Sequence, residues 1–291
     1  MLHLKPIDQA QATAHVAKLY GEITSTFSVN SVPLLFQYLA NFPDFFSYVW
    51  GKSALNLHSS TFSGMADHMI TLATQAVHEI YKPSEKMHTF VATISPHEVA
   101  YLQETAASVM QLNARMLVLT IGIRENIKGV FIGQKLLSNA IYTETASEED
   151  FSMGIKPYAP RDASKPQDLR LTSASALLAP LFSNGLATSS LPYFFSHIDT
   201  EIHLLLKTER YLEKRVLLEQ EAMLASYSLP HPLGASYQEI VRLAGNKPYF
   251  HELLYLLVET FPTAYPRMLF TTSIMLQSLK KTHEKHPVPT S

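Results

Sequence analysis

The sequence predicts an all-α protein made of two related helical halves, and three observations carry that expectation. Apolar residues recur with helical period over long stretches rather than alternating. Only 10 of the 291 residues are glycine. Short segments return late in the chain in the same order: HEVAYL at 97–102 as HELLYL at 251–256, NARML at 113–117 as YPRML at 265–269, and Phe27-Ser28 and Tyr38 as Phe182-Ser183 and Tyr193, at offsets of 154, 152 and 155 residues. Three matches at nearly one offset point to duplication.

The elements follow from local chemistry. A first helix is expected over 8–26. In NFPDFFSYVWGKSALNLH, Pro43 suits a first helical position, Asp44 favours the positive end of the helix dipole, and Phe46, Val49, Trp50 and Leu57 fall on one face. Another helix is expected over 64–81. Ser95 and Glu98 can form a capping box around Pro96, which gives the first His-Glu pair a structural reason. Helices over 114–137, 197–226, 236–244 and 266–281 complete the expectation. The segment YTETASEEDFSMGIKPYAPRDASKPQD is polar, proline-bearing and without apolar period, as a linker would be. The division is therefore residues 1–140 as the first repeat, 141–170 as the linker and 171–291 as the second repeat. Each half alone would expose an apolar face, so the halves should pack as a pseudo-dimer with a cleft at the seam.

Composition narrows the function. The chain carries 23 basic and 25 acidic residues, a net charge of −2, with no basic run longer than a pair, which argues against nucleic acid as a partner. With no cysteine, thiolate catalysis, disulfides and Cys-ligated metals are excluded. The N-terminus MLHLKPIDQAQ has no apolar stretch of signal-peptide length, and no run of about 18 apolar residues occurs, so a soluble cytoplasmic protein without membrane contact is expected. No cofactor or metal is expected. A zinc-protease helix needs a second His four residues after the first, and Tyr101 and Tyr255 stand there instead. His58, His68, His78 and His88 are ten apart, which turns each about 80° from the last on a helix. No phosphate loop, dinucleotide fingerprint or nucleophile elbow is present.

Asn113 and Tyr265 are equivalent under the repeat, each preceding an apolar helix, ARMLVLTIGI or PRMLFTTSIM. They could face each other across the seam; alternatively, Asn113 caps a helix and Tyr265 edges the core. Arg115 and Arg267, two residues on, have the chemistry to grip a carboxylate, although a solvated or structural role is commoner for arginine.

YGEITSTF…LANFPDFFSYVW, NARMLVLT, LLKTERY and YPRML together resemble the group I DL-2-haloacid dehalogenases, with the similarity spread over both halves. The resemblance implies an all-α fold of two related halves with the site between them. It also implies hydrolysis of 2-haloalkanoic acids of either hand, an aspartate activating the water that displaces halide without an ester intermediate. Asn113 falls at the family's water-positioning asparagine and Tyr265 at a tyrosine of its pocket. The aspartate should lie in SNGLATSSLPYFF, with Ser189-Ser190 in register, yet no Asp or Glu occurs from Leu169 through Ile198. A serine hydroxyl is no base near neutral pH without a partner. Asp199 suits the first turn of the next helix, and His197 could serve as a base or simply begin that helix.

The candidate set is therefore Asn113, Ser190 and His197 as catalytic residues, and Tyr265, Ser189, Arg115 and Arg267 as substrate contacts. Three classes of function follow: a dehalogenase-type hydrolase, a catalytically silent binder of a small organic acid such as a 2-halo carboxylate, and a helical interaction module. The sequence does not fix the oligomeric state.

Overall fold

The structure is a computed structural model and describes residues 2–130, 132 and 191–280. All regular structure among these residues is helical. The helices are α1 (Ala14–Phe27), α2 (Leu34–Leu39), α3 (Pro43–Leu57), α4 (Ser60–Ile80), α5 (Glu85–Thr93), α6 (Pro96–Ile127), α7 (Leu191–Leu205), α8 (Glu209–Tyr227), α9 (Tyr237–Ala244), α10 (Phe250–Tyr255) and α11 (Phe261–Ser278). A π-helical segment, Leu256–Thr260, joins α10 to α11.

Several starts follow the sequence signals. Pro43 and Asp44 open α3, whose Phe46, Val49, Trp50 and Leu57 are buried. The Ser95 hydroxyl accepts from the Glu98 N–H at 3.2 Å while the Glu98 carboxylate accepts from the Ser95 N–H at 3.1 Å, closing both arms of the capping box. Other boundaries differ. The expected first helix begins only at Ala14, where the Thr13 side chain caps it. The two helices expected from 95 and from 114 are one, because nothing between Ser95 and Gly129 breaks the backbone ladder. Conversely, the span 197–226 divides at Thr208, whose hydroxyl caps α8 by accepting from Tyr211 N–H. Helices α2, α5 and α10 were not anticipated, since pieces of six to nine residues carry too little periodicity to register.

Helix α6 is the axis of the fold. It packs against α4, α8, the π segment and, most extensively, α11. Because it is enclosed on several sides, its apolar residues run nearly all the way round rather than along one stripe. Among the described residues α6 alone is long and apolar enough to cross a bilayer, but 78% of its apolar window is buried inside the protein. That is the behaviour of a core helix. Gly122 permits close approach here: a Cβ on it would stand 2.7 Å from Leu233 Cδ1.

Asn113 of α6 bonds Thr272 of α11, and Gln103 Nε2 donates to the Leu279 carbonyl at 3.0 Å. Moving back along α6 moves forward along α11, so the two run antiparallel. The irregular start of α11 has a proline cause. Pro262 has no N–H, and its ring crowds the carbonyl four residues back, so the wider π turn takes up the conflict.

Polar ties fasten the packing. Asn56, wholly buried, donates to the His231 carbonyl at 2.9 Å and accepts from its N–H at 3.0 Å, clipping α3 to the loop before α9. Tyr81, at the end of α4, donates to Glu201 of α7 and shares a 2.8 Å hydrogen bond with Ser278 of α11. Glu201 also accepts from Ser84, the cap of α5.

Candidate functional site

Asn113 lies in the middle of α6 with no exposed surface, so neither helix capping nor a position ahead of a helix describes it. Its Nδ2 is 3.2 Å from Thr272 Oγ1. The single hydroxyl proton of Thr272 goes to the Met268 carbonyl, 2.8 Å away and one turn back, so the hydroxyl oxygen must accept from the amide. Thr272 thereby fixes which way the amide points. Asn113 Oδ1 is buried and has no hydrogen-bond partner among the described residues. A buried acceptor left bare costs roughly 1–3 kcal/mol. A water or a ligand hydroxyl can satisfy it; an ionised carboxylate, having no proton to give, cannot.

Tyr265 is also buried, its ring stacked on Phe261 at 6.2 Å. Burial pushes its phenol well above the ordinary tyrosine range, so the hydroxyl is a neutral donor throughout the physiological range. Tyr265 and Thr272 are seven residues apart on α11, which is about two turns and nearly the same face. Since α6 and α11 are antiparallel, Tyr265 lines the same seam as Asn113 but roughly 10 Å further along it, rather than directly opposite.

Arg115 occupies the far side of α6, about 200° round from Asn113. Its Nη1 and Nη2 donate to the Thr26 and Leu57 carbonyls, each at 3.0 Å, and its guanidinium lies 4.8 Å from the Phe27 ring centroid. It closes the C-terminal ends of α1 and α3, where carbonyls lack helical partners. Burial lowers its pKa from the usual arginine range. The carboxylate grip expected of Arg115 is thus not what this geometry offers: the fork is spent on backbone. Arg267 lies some 140° round α11 from Thr272. Burial lowers its pKa, opposed by the nearby Tyr211 and Asp199. It therefore faces the α7 and α8 side rather than the Asn113 contact.

His197 stands on α7 with its ring 4.9 Å from that of Phe90 in α5. No hydrogen bond joins it to Asn113 among the described residues. Ser189 and Ser190 lie outside the described residues, as does the 141–170 segment. No three His, Asp or Glu side chains gather as metal ligands would among the described residues.

Thr272 is the site residue that sequence reasoning missed. A signal existed in the run Thr271-Thr272-Ser273 inside an apolar helix, three buried hydroxyls where aliphatic residues would be expected. Thr272 also stands 152 residues after Thr120, the offset that pairs Asn113 with Tyr265.

The fold is shared with solved structures of known enzymes. A D-2-haloacid dehalogenase mutant in complex with D-2-CPA superposes with a TM-score of 0.70 at 14% identity, covering 96% of this chain and 97% of that one. A D-2-haloacid dehalogenase in complex with L-LA gives 0.69 at 14% identity, over 96% of this chain and 98% of that one. A further mutant of that type of enzyme gives 0.68 at 14% identity, over 96% and 97%. No family model matches the sequence, and no curated protein matches it. The chain therefore has the helical fold of the D-2-haloacid dehalogenases.

Proposed function

We propose that this chain is a dehalogenase-like protein that holds a small 2-substituted carboxylic acid, with a water, in the seam between α6 and α11, and that it releases halide poorly or not at all. The observation that carries the reading is the Asn113 amide. It is buried, oriented by Thr272 and has an acceptor without a partner among the described residues, which suits it to fixing a water rather than gripping a carboxylate. Activating that water needs a base within hydrogen-bond reach. The stretch from Leu169 through Ile198 has no carboxylate, and Glu201 is already engaged by Tyr81 and Ser84.

The duplicated architecture belongs to the same proposal, and several features at the repeat offset support it. Thr120 and Thr272 each donate back to a methionine carbonyl, Met116 and Met268, at 2.8 Å. Arg115 binds the Leu57 carbonyl, while Arg267 lies near Tyr211, which is equivalent to Leu57 at an offset of 154. Helices α6 and α10 begin at equivalent residues, 96 and 250.

The test pairs two measurements on the wild-type protein: chloride release from each enantiomer of 2-chloropropionate, and calorimetric titration with the same acids. Binding with halide release at least about a hundredfold below an aspartate-bearing dehalogenase is expected, the deficit that loss of a general base produces. Ordinary turnover would overturn the impaired-catalysis part, and absence of binding would overturn the ligand part. One observation favours a second reading, the interaction module: Leu212, Val216, Leu217 and Leu224 are all exposed along α8. Sedimentation of Leu217→Glu beside the wild type separates the readings, because only a module loses an assembly.

A further inference from the structure

We propose that a cavity between α4, α6 and α11 binds a short hydroxycarboxylate at a place separate from the Asn113 seam. The cavity holds about 290 Å³ and is lined by Thr74, Gln103, Ser273, Leu276, Gln277 and Lys280. That volume suits a molecule of a few heavy atoms and falls just below the range typical of drug-sized sites.

The lining is built for two kinds of contact. Ser273 is 3% exposed, and its hydroxyl has no hydrogen-bond partner among the described residues. Helical serines usually return their proton to the carbonyl a turn back, as Ser108 does to Glu104 at 3.1 Å. Ser273 does not, so this wall of the cavity keeps an unspent donor. Lys280, at the open end, supplies a cation, and no carboxylate of the described residues pairs with it. Thr74 adds a second hydroxyl. A ligand carboxylate has the lone pairs to accept from donors of this kind.

The glutamines supply the opposite polarity. Gln103 Nε2 donates to the Leu279 carbonyl at 3.0 Å, and Gln277 Nε2 donates to the Tyr81 carbonyl at 2.8 Å. Both amides are thereby oriented, and each keeps its Oε1 as an acceptor. A simple carboxylate offers these oxygens nothing. A ligand with a hydroxyl beside its carboxylate can donate to them, and the Leu276 side chain leaves room for a short aliphatic part.

The experiment is an NMR titration with sodium L-lactate, following the side-chain amides of Gln103 and Gln277, with sodium propionate as the ligand lacking the hydroxyl. Lactate should move both amides and bind at least tenfold more tightly than propionate. Lys280→Ala, at an exposed residue, and Ser273→Ala should each weaken lactate at this cavity about tenfold, while Asn113→Ala leaves it unchanged. Lactate that leaves both glutamine amides unmoved at saturation would overturn the proposal, as would equal binding of propionate or loss of the response in Asn113→Ala. Chloride release and seam binding are read separately, so failure here leaves the Asn113 reading intact, and the reverse holds too.

Discussion

Asn113 and Thr272 join the two central helices through a single 3.2 Å hydrogen bond whose direction is dictated from the Thr272 side. Replacing Thr272 with valine keeps the shape and removes the acceptor, leaving the Asn113 amide unpaired in the core. A loss of about 1–3 kcal/mol is expected in urea denaturation. Adding Asn113→Leu should recover part of that loss, since the orphaned group goes with it. Strictly additive costs would show that the bond does not couple the helices.

Arg115 should behave as a structural clamp. Arg115→Met keeps the aliphatic stem but strands the Thr26 and Leu57 carbonyls, for an expected loss of about 2–3 kcal/mol. Lysine should restore less than half, because a single ammonium lacks the fork that reaches two carbonyls. Affinity for small acids should not change. A variant of wild-type stability that binds acids tenfold more weakly would return Arg115 to the ligand.

One carboxylate gathers the backbone N–H groups at the start of the N-terminal segment. Glu252, in the first turn of α10, accepts from the His3 and Leu4 N–H groups, each at 2.7 Å, and from the His3 ring at 3.0 Å. Burial alone would push its carboxyl up; the hydrogen bonds from Leu4 and His3 outweigh this and hold it below the usual range. A carboxyl whose folded pKa is depressed stabilises the attachment above its unfolded pKa, near 4.3, and stops doing so as pH falls through the lower folded value. Hydrogen exchange at the Leu4 amide should therefore accelerate, relative to its intrinsic rate, below about pH 4. Glu252→Gln should abolish that pH dependence, and an unchanged profile would assign the attachment to other contacts.

His197 is expected to contribute packing and no proton transfer. His197→Ala removes its tilted ring contact with Phe90, worth about 0.5–1.5 kcal/mol, which thermal or urea unfolding would register. Whatever halide release the wild type shows should persist. A fall of a hundredfold or more, the scale of a lost general base, would instead make His197 the missing base.

Glu219 predicts the opposite pH sense from Glu252. Burial raises its carboxyl, opposed by Arg215 and Arg124. A raised carboxyl carries its full cost above its folded pKa, and that cost is relieved as pH falls through the folded pKa toward the unfolded one. Glu219→Gln should therefore stabilise the protein at neutral pH relative to its effect at acid pH, as paired denaturation curves would reveal. Equal effects at both pH values would mean that the ion pair with Arg215, at 3.2 Å, cancels the cost of burial.

The sequence by itself determined the helical class, the caps and the kind of chemistry that is absent. Ser95 and Glu98, Pro43 and Asp44 act within a few residues of themselves, so their roles survive removal of everything else in the chain. The tertiary structure decided what the second His-Glu pair is for. Glu98 closes its own helix, whereas Glu252 reaches a segment nearly the whole chain away. It also decided the phase of the site. Sixteen residues separate His97 from Asn113 and fourteen separate His251 from Tyr265, a difference of roughly 200° on an unbroken α-helix, and the π segment before Pro262 takes back part of it. Two arginines in the similar contexts NARML and YPRML look alike in one dimension. Only the fold shows that the fork of Arg115 goes to two helix ends, because unpaired carbonyls brought close in space leave no mark in the order of residues along the chain.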